Sequence, residues 1–230
     1  MTLTNFLFYV LFLTNISIAS ANDSILYIGD SQSAGHLGPI IHSYLKEKNP
    51  NQNIKLFGIS SSSPRHWADN IDSKNGSWLC SKKGRFNDQF NISLEDKICK
   101  GEPTHSAFHY LNKDRPDYVI FQFLGNSIGF NENFINKKIK TLLAELKNQN
   151  CLFITSPPYY ADLEDRNLIR LKTESFFIKA IGSRCEIVRG MTRTNMDKFS
   201  TRREYYGADK VHLTKLGADT FFQQIKLKLP

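Results

Sequence analysis

The four cysteines of this sequence form no Cys-x-x-Cys pair, because they stand far apart at Cys80, Cys99, Cys151 and Cys185. That spacing excludes the common sequence motifs of zinc-binding and thiol redox sites. The chain also lacks internal repeats and low-complexity tracts, which excludes solenoid and fibrous architectures. It contains no basic run interleaved with aromatic residues, so nucleic acid is not an expected partner.

Charged side chains are missing from the first 21 residues, which are mostly apolar. The segment ends at Ala19-Ser20-Ala21, a pattern typical of signal-peptide cleavage sites. Polar residues interrupt the apolar run, so a signal peptide (1–21) is favoured over a membrane anchor, although it lacks the usual basic start. No later segment is long and apolar enough to span a membrane. We therefore expect a secreted or periplasmic protein whose mature part is 22–230.

Export would bring the four cysteines into an oxidising compartment, where disulfides form. They can pair in more than one way. We favour Cys80–Cys99, which would close a loop, and Cys151–Cys185, which would join the starts of two strands. Free, buried thiols are the alternative.

The net charge of +8 suits a protein that meets anionic partners such as cell-wall polymers or lipid headgroups. A solvated surface rich in lysine explains the same charge without any ligand. The charge by itself therefore identifies no partner.

Short apolar strands alternate with amphipathic helices along most of the chain. The predicted strands are 24–28, 54–57, 117–123, 151–155 and 185–188, and the predicted helices are 38–48, 132–148, 166–181 and 215–227. Periodicity fades over 59–115, which predicts an insertion. The alternation predicts a mostly parallel sheet covered by helices on both faces, with ligands at the carboxyl ends of its strands.

Ser31 follows the first predicted strand, in the stretch Gly29-Asp30-Ser31. A glycine at a strand end lets the backbone turn sharply, and a helix start supplies free N–H groups for a developing anion. A serine hydroxyl is a weak nucleophile that needs an adjacent base. Taken alone, the tripeptide is more typical of an ordinary turn.

A candidate base lies near the other end of the chain, in Asp209-Lys210-Val211-His212. A local turn would let the Asp209 carboxylate hold one imidazole nitrogen of His212 and direct the other toward Ser31. The alternative for His212 alone is a surface histidine at a helix start.

Two further positions follow predicted strands and supply candidate donors for an oxyanion. Gly58 ends the second strand, and Asn126 follows the third. Together with the Ser31 N–H, the Gly58 N–H and the Asn126 amide would stabilise a tetrahedral oxyanion. The alternative for Asn126 is a simple turn residue.

In this order, Ser31, Gly58, Asn126 and His212 resemble the four blocks of the SGNH/GDSL hydrolases. The resemblance implies an α/β/α sandwich with a mostly parallel five-stranded sheet of flavodoxin type, ester hydrolysis through an acyl-enzyme, and no metal or cofactor. It also implies that Asp30 is structural. The chain departs from the family in having Gln32 where leucine is frequent. In its third block Asn126 directly follows a glycine, where the family often has Gly-x-Asn-Asp.

Other residues give weaker signals. Arg65 and Trp67 follow Gly58 and are candidates for substrate contact, the alternative being a tryptophan packed at the sheet edge. His105 and His109 have a spacing that can bind zinc on a helix, but no third ligand is evident.

The substrate predicted from these features is a carboxylic ester, with O-acetyl groups on carbohydrate or cell-wall glycan favoured. A lipase, a lysophospholipase or an acyltransferase on the same scaffold is an alternative. A carbohydrate-binding protein without catalytic activity is an alternative of another class. Oligomeric state is left open by the sequence.

Overall fold

The computed structural model describes residues 24–59, 62–69, 84–87 and 115–230, which form six β-strands and seven α-helices. The strands are β1 (Ser24–Gly29), β2 (Asn53–Ile59), β3 (Gly84–Asn87), β4 (Tyr118–Gln122), β5 (Asn150–Ile154) and β6 (Glu186–Val188). The helices are α1 (Ser31–Ala34), α2 (Leu37–Lys48), α3 (Pro64–Ala68), α4 (Glu132–Ala144), α5 (Glu164–Ile181), α6 (Arg193–Phe199) and α7 (Lys215–Ile225).

The strands form one sheet in the order β3-β2-β1-β4-β5-β6. Five of them run parallel, as predicted, and β3 pairs antiparallel with β2. The sheet has one strand more than the five predicted. The additional strand, β3, is a four-residue edge strand within the segment 59–115, where the sequence has no apolar periodicity that would predict it. The parallel strands reverse their order between β1 and β4, and ligands in such sheets bind at this switch point.

Alternation along the strands divides the core into two layers, as a period of two residues requires. In β1, Leu26 and Ile28 face one side of the sheet, and Ile25 and Tyr27 face the other. Helices α3, α4 and α5 cover the first side and α2 and α7 cover the second, while α6 packs against the first core through Met196 and the second through Phe199. The predicted α/β/α sandwich is therefore confirmed.

Side chains cap the starts of several helices. Thr214 caps α7, and its side chain accepts a hydrogen bond from the Gly217 N–H at 3.2 Å. Asn131 caps α4 by accepting from the Phe134 N–H at 2.9 Å. The short helices α1, α3 and α6 were not predicted, because four to seven residues contain too few turns for a periodic pattern.

A disulfide joins Cys151 in β5 to Cys185, which directly precedes β6, as predicted. The expected Cys80–Cys99 pair lies outside the described residues, as do the signal segment (1–21), His105 and His109, and most of the predicted insertion. Among the helices of the described ranges, none has the length and apolar character needed to cross a membrane.

Candidate active site

A cavity of about 130 Å³ lies at the carboxyl ends of β1 and β4. Its walls are Asp30, Ser31, Gln32, Gly125, Asn126, Ser156, Tyr159, Arg170, Val211 and His212. We call this cavity the active-site pocket. A wider depression of about 560 Å³ lies at the amino ends of β4 and β5. Among the described residues that line this depression there is no serine or histidine, so the smaller cavity is the better candidate for catalysis.

Ser31 enters the pocket because β1 ends at Gly29 and α1 begins at once. A Cβ on Gly29 would lie 1.9 Å from the Ser33 Oγ, so only glycine lets the helix fold back this closely over the strand. Asp30 caps α1 by accepting a hydrogen bond from the Gln32 N–H at 2.9 Å. As the first residue of the helix, Ser31 keeps a backbone N–H with no partner inside the helix.

Asp30 ties this turn to the loop that carries Asn126. Its second carboxylate oxygen accepts a hydrogen bond from the Leu124 N–H at 3.3 Å. Burial raises the pKa of Asp30 to about 6, against the opposing effect of the hydrogen bonds from Gln32 and Leu124 and of the Arg170 charge. The contacts of Asp30 are those of a residue that holds the turn, the role that the family resemblance implies.

Asp209 and His212 form a close pair on the segment before α7. The His212 Nδ1 lies 2.5 Å from the Asp209 Oδ2. The Asp209 Oδ1 accepts hydrogen bonds from the Val211 N–H at 2.9 Å and the His212 N–H at 3.0 Å. Partial burial raises the pKa of Asp209, but the hydrogen bonds from His212 and Val211 outweigh it, and the pKa falls below its usual value. With Nδ1 occupied, Nε2 is the nitrogen left to act in the pocket.

Gln32 connects the serine helix to the histidine segment. Its Nε2 donates to the Val211 carbonyl at 2.9 Å, and its Oε1 accepts from the Leu213 N–H at 3.3 Å. The amide therefore binds the backbone on both sides of His212. Sequence reasoning noted Gln32 only as a departure from the family pattern and missed this contact.

Asn126 lines the pocket from a 3-10 turn, Gly125–Ser127, that follows β4. Its Nδ2 donates to the Ser62 carbonyl at 2.9 Å, which orients the amide. An amide nitrogen carries two hydrogens, so one remains for a ligand. Asn126 and the Ser31 N–H thus supply two candidate oxyanion donors.

Gly58 is not among the described residues that line the pocket, and its predicted oxyanion role stays a prediction. The strand β2 continues past it to Ile59. A Cβ on Gly58 would lie 2.5 Å from the Ala34 nitrogen and 2.5 Å from the Ser33 carbonyl carbon. The glycine is required because α1 packs directly against the strand, and this packing explains its presence without an oxyanion role.

Comparison with known proteins supports the fold. No family model matches the sequence, and none of the curated proteins matches it. A carbohydrate esterase family 3 structure from Talaromyces cellulolyticus aligns with TM-score 0.55 and 12% identity, over 90% of this chain and 96% of the other. A Slackia heliotrinireducens protein assigned to the SGNH hydrolases aligns with TM-score 0.55 and 14% identity, over 90% and 99%. The chain has the SGNH hydrolase fold.

A third structure with this fold is the periplasmic domain of a Salmonella ser. Paratyphi A lipopolysaccharide acetyltransferase. It aligns with TM-score 0.51 and 16% identity, over 90% of this chain and 83% of the other. At such identities the SGNH likeness establishes the architecture alone, and function has to be argued from the site.

Trp67 and Arg65 lie outside the pocket of this SGNH fold. Trp67 is 1% exposed and packs edge-on against Phe57 with ring centroids 6.2 Å apart, so the prediction that it contacts substrate is wrong. A large apolar ring one turn into α3 gains more by joining the core than by facing water. Arg65 is exposed, lies 3.8 Å from Asp69, and borders a separate small depression beside α4.

Arg170, Tyr159 and Ser156 complete the pocket, and sequence reasoning assigned neither Arg170 nor Ser156 to it. Arg170 is fully buried on α5, with its guanidinium 4.0 Å from the centre of the Tyr159 ring. A signal existed in the sequence, since polar residues occupy the inward positions of this helix. Those positions are Asn167, Arg170, Thr173 and Glu174, all buried.

Proposed function

We propose that this protein is a serine hydrolase that cleaves carboxylic esters through an acyl-enzyme on Ser31. One observation carries the proposal: Ser31, Asn126 and His212 line the same pocket, and the carboxylate of Asp209 occupies the His212 Nδ1. A nucleophile, a base with its orienting group, and an oxyanion donor are the parts that acyl transfer requires.

In this mechanism, the His212 Nε2 accepts the Ser31 hydroxyl proton as the Oγ forms a bond to the ester carbonyl carbon. The carbonyl oxygen becomes an oxyanion, stabilised by the Ser31 N–H and the Asn126 Nδ2. The bond to the alcohol oxygen then breaks, and His212 returns the proton to the leaving alcohol. Water repeats the sequence on the acyl-enzyme and releases the acid, which restores Ser31.

The size of the pocket favours a short acyl group. Its volume of about 130 Å³ corresponds to roughly four water molecules in the liquid, each of which occupies about 30 Å³. We therefore propose acetyl or similarly short esters, with O-acetyl groups on carbohydrate as the favoured source. The net charge of +8 is compatible with an anionic glycan. Proteins of this fold include a carbohydrate esterase and a lipopolysaccharide acetyltransferase.

We further propose that the protein works in an exported, oxidising compartment. The Cys151–Cys185 disulfide supports this, because such bonds are rare in reducing compartments. Detection of the mature chain in culture medium or periplasm, beginning after Ala21, would test it. A protein retained in the cytoplasm with reduced Cys151 and Cys185 would contradict it.

Turnover of p-nitrophenyl acetate tests the catalytic proposal. We expect Ser31→Ala to lose detectable turnover and labelling by a fluorophosphonate probe, while circular dichroism shows an intact fold. The exposed Ser175 offers a matched control, and Ser175→Ala should behave as the unaltered protein. Equal turnover in Ser31→Ala would contradict the proposal. Glycan binding without probe labelling would support a non-catalytic binding protein instead.

Release of acetate from O-acetylated glycan, compared with transfer of the acetyl group to an added glycan acceptor, distinguishes hydrolase from transferase. We expect free acetate as the main product. Transfer that exceeds hydrolysis would assign the same acyl-enzyme to an acetyltransferase. Faster turnover of long-chain than of short-chain esters would contradict the short-acyl proposal.

A further inference from the structure

Arg170 carries a buried positive charge at the wall of the active-site pocket. It belongs to α5, has 0% exposure, and packs its guanidinium 4.0 Å from the centre of the Tyr159 ring. Its Nη2 donates to the Ser156 carbonyl at 3.3 Å and the Pro157 carbonyl at 2.6 Å. These contacts hold the guanidinium in place beneath the loop that follows β5.

Two other nitrogens of Arg170 are not used by these contacts. Within the described part of the chain, nothing accepts a hydrogen bond from Nη1 or Nε. An arginine side chain remains charged in proteins, and a buried charge without a contacting counter-charge is costly. The ion pair that α5 does form inside the protein uses Glu174 and Arg189, not Arg170. Asp30 responds to the Arg170 charge, but burial still dominates its pKa.

Gly125 lies beside the unused Arg170 donor and the Tyr159 hydroxyl. A Cβ on Gly125 would lie 3.2 Å from the Arg170 Nη1 and 3.0 Å from the Tyr159 hydroxyl oxygen. Gly125 itself lines the pocket, directly before Asn126. A side chain at this position would crowd both polar groups, which glycine avoids.

Tyr159 is held as firmly as Arg170. The Asn167 side chain accepts from the Tyr159 N–H at 2.7 Å and donates to the Tyr159 carbonyl at 2.9 Å. Asn167 lies one helical turn before Arg170 on α5, and it is buried. One helix face therefore positions both groups, and such preorganised donors favour binding of an anion over binding of a neutral group.

We propose that Arg170 and Tyr159 form an anion subsite of the active-site pocket, and that the substrate is an ester bearing a carboxylate. The inference rests on the proposed function in so far as Ser31 acts in the same pocket. The carboxylate would accept hydrogen bonds from the Arg170 Nη1 and the Tyr159 hydroxyl. It belongs either to a short dicarboxylic acyl group or to an acidic sugar that carries the acyl group.

Ligand binding to the Ser31→Ala protein tests the subsite without requiring catalysis. Isothermal titration with succinate and with glucuronate represents the two sources of the carboxylate, and succinamide and glucose are their neutral counterparts. We expect one anion to bind at least roughly tenfold more tightly than its neutral counterpart, as a charge-assisted hydrogen bond allows. The preferred anion identifies the source. Equal binding of charged and neutral ligands would overturn the inference.

Variants connect the binding to the two side chains. Tyr159→Phe removes only the hydroxyl, and Arg170→Met removes the charge. Each should lower the affinity for the preferred anion by roughly tenfold while leaving that for the neutral counterpart unchanged. Since Arg170→Met also loses the contacts to Ser156 and Pro157, Gly125→Ala provides a second test that leaves Arg170 intact. Unchanged anion affinity in Tyr159→Phe and Gly125→Ala would overturn the subsite.

Activity separates this inference from the catalytic proposal. The unaltered protein is assayed with mono-p-nitrophenyl succinate and p-nitrophenyl butyrate, and with acetyl esters of glucuronate and glucose. If all four esters are hydrolysed at equal kcat/KM and no anion binds, the proposed subsite is wrong and the proposed hydrolase function is supported. If no ester is hydrolysed but an anion binds through Tyr159, the proposed hydrolase function is wrong and the proposed subsite is supported. A higher kcat/KM for one charged ester, lost in Tyr159→Phe, supports both.

Discussion

Gln32 holds His212 from both sides, through the carbonyl of the preceding residue and the N–H of the following one. Its partners lie 179 and 181 positions away in the chain. The residue after the proposed nucleophile thus sets the position of the proposed base. Since proton transfer depends on hydrogen-bond distance and alignment, Gln32 is expected to control the rate while touching no reacting atom.

Replacement of Gln32 by leucine should lower kcat by roughly 10- to 100-fold with little change in KM, because two hydrogen bonds of about 1 kcal/mol each no longer hold the His212 segment. Steady-state kinetics on p-nitrophenyl acetate measures this. Gln32→Glu keeps one hydrogen-bond acceptor, and its kcat should lie between those of the unaltered protein and of Gln32→Leu. Gln223→Leu, at an exposed glutamine of α7, is the matched control. An unchanged kcat in Gln32→Leu would assign the amide a purely structural role.

Asp209→Asn should reduce kcat/KM by about 100-fold, the usual scale for acid–base catalysis. The amide cannot stabilise the imidazolium that forms in the transition state, and it can present a hydrogen where Nδ1–H needs an acceptor. Because hydrogen bonds lower the pKa of Asp209, this carboxylate stays ionised throughout a profile from pH 5 to 9. The loss of kcat/KM in Asp209→Asn should therefore be present across this whole range. Equal kcat/KM for the unaltered protein and Asp209→Asn at every pH would contradict the pairing of Asp209 with His212.

Asp30 makes stability fall as the pH rises. Its pKa is 3.8 before folding and about 6 in the folded protein, so the folded state binds the proton more tightly. This stabilisation is complete below about pH 4 and is lost as the pH rises through 6; it amounts to about 3 kcal/mol at most, since one pKa unit corresponds to about 1.4 kcal/mol.

Urea unfolding at pH 4, 5, 6 and 7 measures the effect against Asp30→Asn. The free energy of unfolding of the unaltered protein, minus that of the variant, should decrease over this range. The altered cap of α1 adds an offset to the variant that does not depend on this titration. A difference that stays constant with pH would mean that the carboxyl group titrates normally in the folded protein.

The Cys151–Cys185 disulfide closes a loop with a sequence separation of 34 residues. Loop-closure entropy predicts a stabilisation of about 4 kcal/mol. Replacing both cysteines by alanine should lower the free energy of unfolding by about that amount and leave kcat unchanged, because the bond lies at the amino ends of β5 and β6, away from the pocket. Denaturant titration and ester kinetics measure the two quantities.

Cys80→Ala/Cys99→Ala provides the comparison for the other cysteine pair, which stays a prediction. A shift in stability and a cross-linked peptide containing Cys80 and Cys99 in a non-reducing digest would support that bond.

A Cys151→Ala/Cys185→Ala protein with lost activity would contradict the separation between the Cys151–Cys185 disulfide and the pocket.

The strands and the long helices could be predicted closely because their signals are local. Apolar alternation and apolar runs mark strands such as β1 and β4, and Thr214 marks the start of α7 through its own hydroxyl. The sequence did not predict four short elements, namely the antiparallel strand β3 and the helices α1, α3 and α6. Such short elements owe their conformation to the elements they pack against.

The candidate site divides in the same way. Asp209 and His212 are three positions apart, so a local turn suffices to pair them. Gly58 and Trp67 were assigned to the pocket on their residue type and their position after β2. Their burial depends on α1 and on the core around Phe57, neither of which the order of residues shows.

Residue chemistry and local spacing therefore determined by themselves the order of strands and helices, a serine at the end of the first strand, and an acid–histidine pair before the last helix. Only the tertiary structure decided that Gln32 reaches His212, that Gly58 serves packing, and that Arg170 lies against the pocket. The physical reason is that backbone preferences act over a few residues, whereas burial and long-range hydrogen bonds arise only once the sheet is assembled.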